Sequence, residues 1–348
     1  MKKKILQLPP IKLDYMKAIT DETGIFQHAK FSTPNRKEGY SIDDNARALI
    51  VCTKYNQLNK NSKITKLANT YLSFLHHMQM KNGQVHNFLG YDRRFLDKVG
   101  SDDSLGRTLW ALGHVINSNL DEEKKLLAKE IFKKALLYAI KSTSPRTKAF
   151  AILGLGQYQS ADPNKNTLSK KINKLSKQLL NLYNKTASAN WSWFESYITY
   201  CNAKLPQALF EAYKHTNNKI YLQVAEDSFN FTLKVQMNNN VFTPIGNNGW
   251  YKKGEPKAMY DQQSVEAYCM TKTALTAFEI TQNTRYKTAA QTSFQWYHGK
   301  NIQGLKVYDP KTGSCYDGIT PKGLNLNQGA ESTVTYLLAR LNIETIIN

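Results

Sequence analysis

Apolar residues recur along this chain at the three-to-four-residue spacing of a helix face, while the two-residue alternation of a strand is rare. The pattern predicts an all-α protein. A short helix over about residues 10–20 (Leu13, Met16, Ile19) is followed by helices starting near 42, 62, 102, 121, 145, 166, 203, 217, 260, 284 and 328. Those near 62, 121 and 166 are amphipathic, with Ile64, Leu67, Tyr71, Leu72 and Leu75 on one face and Lys and Asn on the other. By contrast 46–51, 108–116 and 149–155 are nearly free of Lys and Glu, as helices buried on all sides should be. The connections fall into two kinds. Short ones lie near 58–62, 118–121, 158–165, 215–218 and 281–284, and long ones cover 21–41, 82–100, 187–203, 237–259 and 300–327; only the short loop near 143 breaks the alternation. Antiparallel hairpins joined this way put all short turns on one face and all long loops on the other. Six such hairpins make an (α/α)6 toroid, read here as a single domain over 1–348 in which the amino-terminal helix packs with the last one. A superhelical array would need a fixed sequence period, and none is present.

Composition changes this picture little. No Ser/Gly/Pro-rich linker or charge block divides the 348 residues. The basic start is interrupted by Gln7, Pro9 and Pro10 before a leader core can form, and no run approaches the ~18 apolar residues of a membrane span, so a cytoplasmic protein with no membrane partner is expected. Cys52, Cys201, Cys269 and Cys315 are scattered and read as reduced, buried thiols. The net charge of +20 raises the question of a polyanion partner, but the lysines are dispersed over helix faces and loop tips with no accompanying motif, so no nucleic-acid partner is expected. The histidines show no metal-ligand spacing; no metal and no cofactor are expected.

If the inner helices begin at the long-loop face, their first turns form the floor of a funnel. Those turns hold Asp43, Asp44 and Arg47; Asp102, Asp103 and Arg107; Gln207; Asp261 and Gln262; and Gln328 and Glu331. The preceding loops add His86, Trp191, Trp193, Glu195, Tyr200, Asn202, Trp250, Tyr260 and Asp317. Carboxylates and amides suit sugar hydroxyls, and aromatic rings suit the apolar faces of pyranoses. The plainer reading of each acid pair is a helix cap with a first-turn carboxylate favoured by the dipole, and the plainer reading of each arginine is a helical pair with its own aspartate. Capping accounts for one acid of each pair and leaves the second free. Asp44, Asp103, Glu195 and Asp261 form the candidate catalytic pool, with Glu331 next, and the remaining residues are candidate substrate contacts.

The segments Gly-Tyr-Ser-Ile-Asp-Asp-Asn-Ala-Arg, Ser-Asp-Asp-Ser-Leu-Gly-Arg-Thr-Leu-Trp-Ala-Leu-Gly, Trp-Ser-Trp-Phe-Glu, Tyr-Asp-Gln-Gln and Asn-Gln-Gly-Ala-Glu-Ser-Thr resemble a bacterial family of (α/α)6-toroid proteins over about residues 39–341. Its members look like glycoside hydrolases, often accompany or are fused to glycosyltransferases, and in some cases lie near mannoside phosphorylases. The resemblance implies an oligosaccharide substrate, a mannoside or glucoside among the candidates, and association with a glycosyltransferase. Paired-carboxylate hydrolysis leads. A phosphorylase, a sugar epimerase with a histidine base and a noncatalytic glycan-binding partner remain open. A magnesium-dependent cyclase toroid is disfavoured, since neither acid pair completes DDxxD.

Overall fold

The computed structural model describes residues 8–59, 61–164 and 166–344; the basic start and Lys60 lie outside them. Twelve α-helices occur among the described residues: α1 Asp14–Ala18, α2 Ile42–Leu58, α3 Ser62–Met78, α4 Asp102–Ile116, α5 Glu122–Ala139, α6 Pro145–Ala161, α7 Asn166–Thr186, α8 Lys204–Thr216, α9 Lys219–Gln236, α10 Ser264–Thr281, α11 Thr284–Gln295 and α12 Ala330–Ile343. The even-numbered helices contact one another in order, and α12 closes the ring on α2. Helices α3, α5, α7, α9 and α11 pack outside as second members of hairpins, and α1 touches α12. This is the (α/α)6 toroid. The first helix is shorter than its apolar spacing suggests: Leu13 and Ile19 are buried but stand at its two caps, with Tyr15 and Met16 buried between them.

Three inner helices start with a serine whose hydroxyl oxygen accepts an N–H in the first turn: Ser41 from Asp44, Ser101 from Ser104 and Ser144 from Thr147. Pro145 occupies the opening turn of α6, where a missing N–H costs nothing. The expected start of α10 near 260 moves to Ser264, and Gln262–Gln263 before it are extended. Asp261 is therefore not a helix cap; it sits outside the helix in left-handed backbone, φ +60°.

The long loops are tied together by two- and three-residue ladders that the helix-dominated pattern concealed. Tyr40–Ser41 pairs with Phe88–Leu89, joining the loops before α2 and α4. Tyr197–Ile198 pairs with Tyr251–Lys252, and Gly318–Thr320 pairs with both Gln262–Gln263 and Gly323–Asn325. The Gly318–Thr320 pairing with Gly323–Asn325 is a hairpin within the loop before α12, and the other three link the entrances of neighbouring inner helices, so the rim is held by backbone hydrogen bonds. Between α4 and α6 the approach is closest: a Cβ on Gly154 would meet the Leu109 carbonyl oxygen at 2.4 Å, and one on Gly113 would meet the Gly154 carbonyl oxygen at 2.3 Å.

Candidate functional site

The floor of the funnel is built from two arginines and the acids around them. Ser41 Oγ donates to Asp44 Oδ2 at 2.6 Å, and Arg47 Nη1 lies 3.2 Å from Asp44 Oδ1. The other face of the same guanidinium reaches across to α12, with Nη2 2.9 Å from Glu331 Oε2. Arg107, against the expectation of a helical pair with Asp103, crosses from α4 to α2 and lies 2.7 Å from Asp43 Oδ2. The doubled acid of α2 thus divides its work: Asp44 serves its own cap and arginine, and Asp43 serves the neighbouring helix. Asp43 Oδ1 is buried without a hydrogen bond.

Asp103 heads a second network. It accepts from Ser144 Oγ at 2.7 Å, Thr147 Oγ1 at 3.3 Å and Tyr200 OH at 2.6 Å. Burial opposes its ionisation, but Arg107 and the Tyr200 and Ser144 hydroxyls outweigh it and hold the carboxyl below the usual range. Arg146 clasps Glu195 at 2.9 Å, donates to the Tyr200 carbonyl at 2.7 Å, and lies 4.6 Å from the Tyr200 ring centroid. Asp102 is exposed and accepts from Ser142 Oγ at 2.5 Å.

Asp261 and Asp317 line one polar cleft of about 220 Å³ together with Asn247, Gln263 and Asn325. Burial first, and then the charge of Glu331, push the Asp317 carboxyl up to about 6. Burial also raises Asp44 to about 6, with Arg47 opposing and Glu331 adding to the shift. Glu331 is thus electrostatically linked to both.

Several candidate contacts turn inward instead. Trp193 is 0% exposed, and Trp191 packs edge-on against Phe231 and Tyr251 while its Nε1–H donates to the Glu195 carbonyl at 2.7 Å. Gln207 holds Lys204, Gln262 accepts from Trp296 Nε1, and Gln328 accepts from Ser314. Buried amides of this kind satisfy the loops that carry the site. His86 stacks on Phe95 with centroids 3.9 Å apart, and its Nδ1 is 3.0 Å from the Asp97 carbonyl oxygen. Trp250, Tyr200 and Tyr260 retain exposed surface, with Tyr260 at 40%.

Glu266 was not singled out from the sequence, although it is a first-turn acid like the others. Its carboxyl receives the Cys201 and Asn202 N–H groups and Asn202 Nδ2, fixing the turn before α8, where Cys201 has φ +49°. Burial, then the Cys201 sulfur, raise it to about 8 against those three donors, which favour the charged form. No group of three or more His, Cys, Asp or Glu side chains suited to a metal occurs among the described residues.

The sequence matches no protein-family profile and no curated protein. Its fold matches solved structures along nearly the whole chain. A sugar epimerase from a ruminal bacterium superposes with a TM-score of 0.75 at 11% identity, covering 95% of this chain and 94% of its own. Cellobiose 2-epimerase from Bacillus thermoamylovorans gives 0.75 at 12%, covering 96% and 95%. An α-1,6-mannanase of Salegentibacter, in a variant inactivated at two consecutive aspartates and bound to α-1,6-mannotriose, gives 0.63 at 10%, covering 96% of each chain. At these identities the likeness establishes the toroid.

Proposed function

We propose that this protein is a glycoside hydrolase-like enzyme acting on a neutral oligosaccharide in the funnel. The observation that carries this reading is the gathering of carboxyl groups at the entrances of α2, α4 and α12, where Glu331 is held by Arg47, Asp43 by Arg107, and Asp317 lies close enough to Glu331 to feel its charge. Acid catalysis at a glycosidic oxygen needs a carboxyl that holds its proton near neutrality, and Asp317 is pushed in that direction. Asp317 gives its proton to the leaving oxygen. The Glu331 carboxylate, held by Arg47, takes the second role, activating water or attacking the anomeric carbon. Asp261 and Asn325 share the cleft with Asp317 and suit sugar hydroxyls, while Tyr260 and Trp250 offer ring faces. Asp44 and Asp103, whose oxygens are all hydrogen-bonded within the protein, position the floor and are not the reacting groups.

The test is sugar release from manno- and gluco-oligosaccharides. Wild-type protein should release sugar without added phosphate, and Asp317→Asn and Glu331→Gln should each lower kcat by about 10²–10⁴. Tight binding with no turnover overturns hydrolysis in favour of a glycan-binding partner, and strict phosphate dependence overturns it in favour of a phosphorylase. A second reading, interconversion of free sugars, is the activity named for two epimerases that share this fold. NMR of an unmodified disaccharide incubated with the protein distinguishes it by a new epimer with no hydrolysis. Association with a glycosyltransferase is proposed on the sequence resemblance alone.

A further inference from the structure

Below the funnel floor the barrel axis is closed by stacked rings. Trp110 of α4 and Tyr268 of α10 face each other with centroids 6.3 Å apart, and Lys204 Nζ lies 4.8 Å from the first and 4.4 Å from the second. One helical turn further along the same faces come His114, four residues after Trp110, and Lys272, four residues after Tyr268. Lys54 follows Arg47 by two turns on α2 and so descends from the funnel-facing side towards the same level. His114 touches the underside of the plug, its ring centroid 6.0 Å from that of Trp110.

These three groups make no hydrogen bond or ion pair with any described residue. The carboxylates nearby are already engaged: Glu279 lies 2.9 Å from Lys214 Nζ, and Glu211 Oε1 lies 3.0 Å from His215 Nε2. Lys54, His114 and Lys272 are each partly open to solvent, whereas Lys204 above them is 1% exposed. Two lysines and an imidazole from three different helices, partly open to solvent and without a side-chain partner, offer N–H donors to an anion.

We propose that the short-loop end of the barrel axis, below the Trp110–Tyr268 stack that separates it from the funnel, is a binding site for a phosphate group held by Lys54, His114 and Lys272. Burial, then repulsion from Lys272 and Lys204, lowers the Lys54 pKa to about 7, and burial followed by repulsion from the same lysines and Lys54 holds His114 well below its ordinary value. An anion between them relieves that repulsion and draws protons onto both. Carbonyl dipoles at the carboxy-terminal ends of the inner helices favour cations here, but a dipole field spread over several helices does not select a geometry. The site is independent of the chemistry proposed for the funnel.

Titration calorimetry with inorganic phosphate, at constant ionic strength against chloride, tests it. The wild type should bind one phosphate per chain, Lys54→Met and Lys272→Met should each weaken binding at least about tenfold, and Lys54→Arg should retain most of it. Methionine keeps the unbranched stem of lysine and removes only the charge, so the Met variants should fold, with unchanged far-UV circular dichroism. Absence of binding, equal affinity in the Met variants, or loss on Arg47→Met but not on Lys54→Met overturns the proposal, the last by placing the anion in the funnel.

Discussion

Asp317 carries the sharpest residue-scale expectation. A carboxyl raised to about 6 in the folded protein binds its proton more tightly there than in the unfolded chain, whose value is about 4. Between those two values the native state holds the extra proton, so this group's contribution to stability falls as pH rises through the window and stays unfavourable above it. Asp317→Asn should therefore raise Tm at pH 7.5 relative to wild type, with the gap closing towards pH 4. If Asp317 is also the proton donor, wild-type activity should decline as pH rises past about 6. Scanning calorimetry and a pH–rate profile of the same two proteins check both halves. A variant both more stable and inactive is the signature expected of a functional acid held against its solvation preference. The sequence identified Asp317 as a rim residue but could not rank it, because its shift comes from burial and from Glu331 on another element. It also promoted Trp191 and Trp193 as sugar platforms. Their flanking polar residues made the loop look exposed, whereas the rings are the loop's own core.

At the scale of the elements, the helices and their entrances were legible because capping serines, first-turn acids and apolar spacing agree. What lay beyond reach was rotation and neighbour. Arg107 could have paired with Asp103 on its own helix; in the ring it faces Asp43 of α2 instead, and no local pattern encodes that. The short ladders across the rim were equally hidden, since two residues of strand leave no periodicity. Helix approach was partly legible after the fact, through the glycines of α4 and α6. Gly154→Ala tests that contact. The added methyl would lie 2.4 Å from the backbone oxygen of Leu109, with no flexible side chain to move aside. Overpacking costs about 1–3 kcal/mol and outweighs the roughly 1 kcal/mol that alanine gains over glycine in a helix interior. Denaturant unfolding should show a lower midpoint at unchanged slope. A midpoint equal to or above that of wild type would mean the two helices separate freely.

For the whole molecule the decisive contrast is between a strongly basic surface and an acid-rich funnel. The net charge is +20, yet Asp43, Asp44, Asp103, Glu195, Asp261, Asp317 and Glu331 gather with Arg47, Arg107 and Arg146 at one end of the barrel. Dispersed like charges destabilise the compact state through self-repulsion, and salt screens exposed charges over about 10 Å at 0.1 M while leaving buried pairs largely unscreened. Two outcomes should therefore separate. Thermal stability should rise as sodium chloride is added from low concentration, because the surface repulsion is relieved. Turnover of a neutral oligosaccharide should hardly change over the same range, because the arginines that clasp the floor's carboxylates are buried and a neutral substrate gains nothing from the surface field. Parallel thermal-shift and initial-rate measurements in one salt series decide the matter. If activity fell with salt as stability rose, the substrate would have to be charged and steered by the basic surface, and the neutral-sugar reading of the funnel would fail.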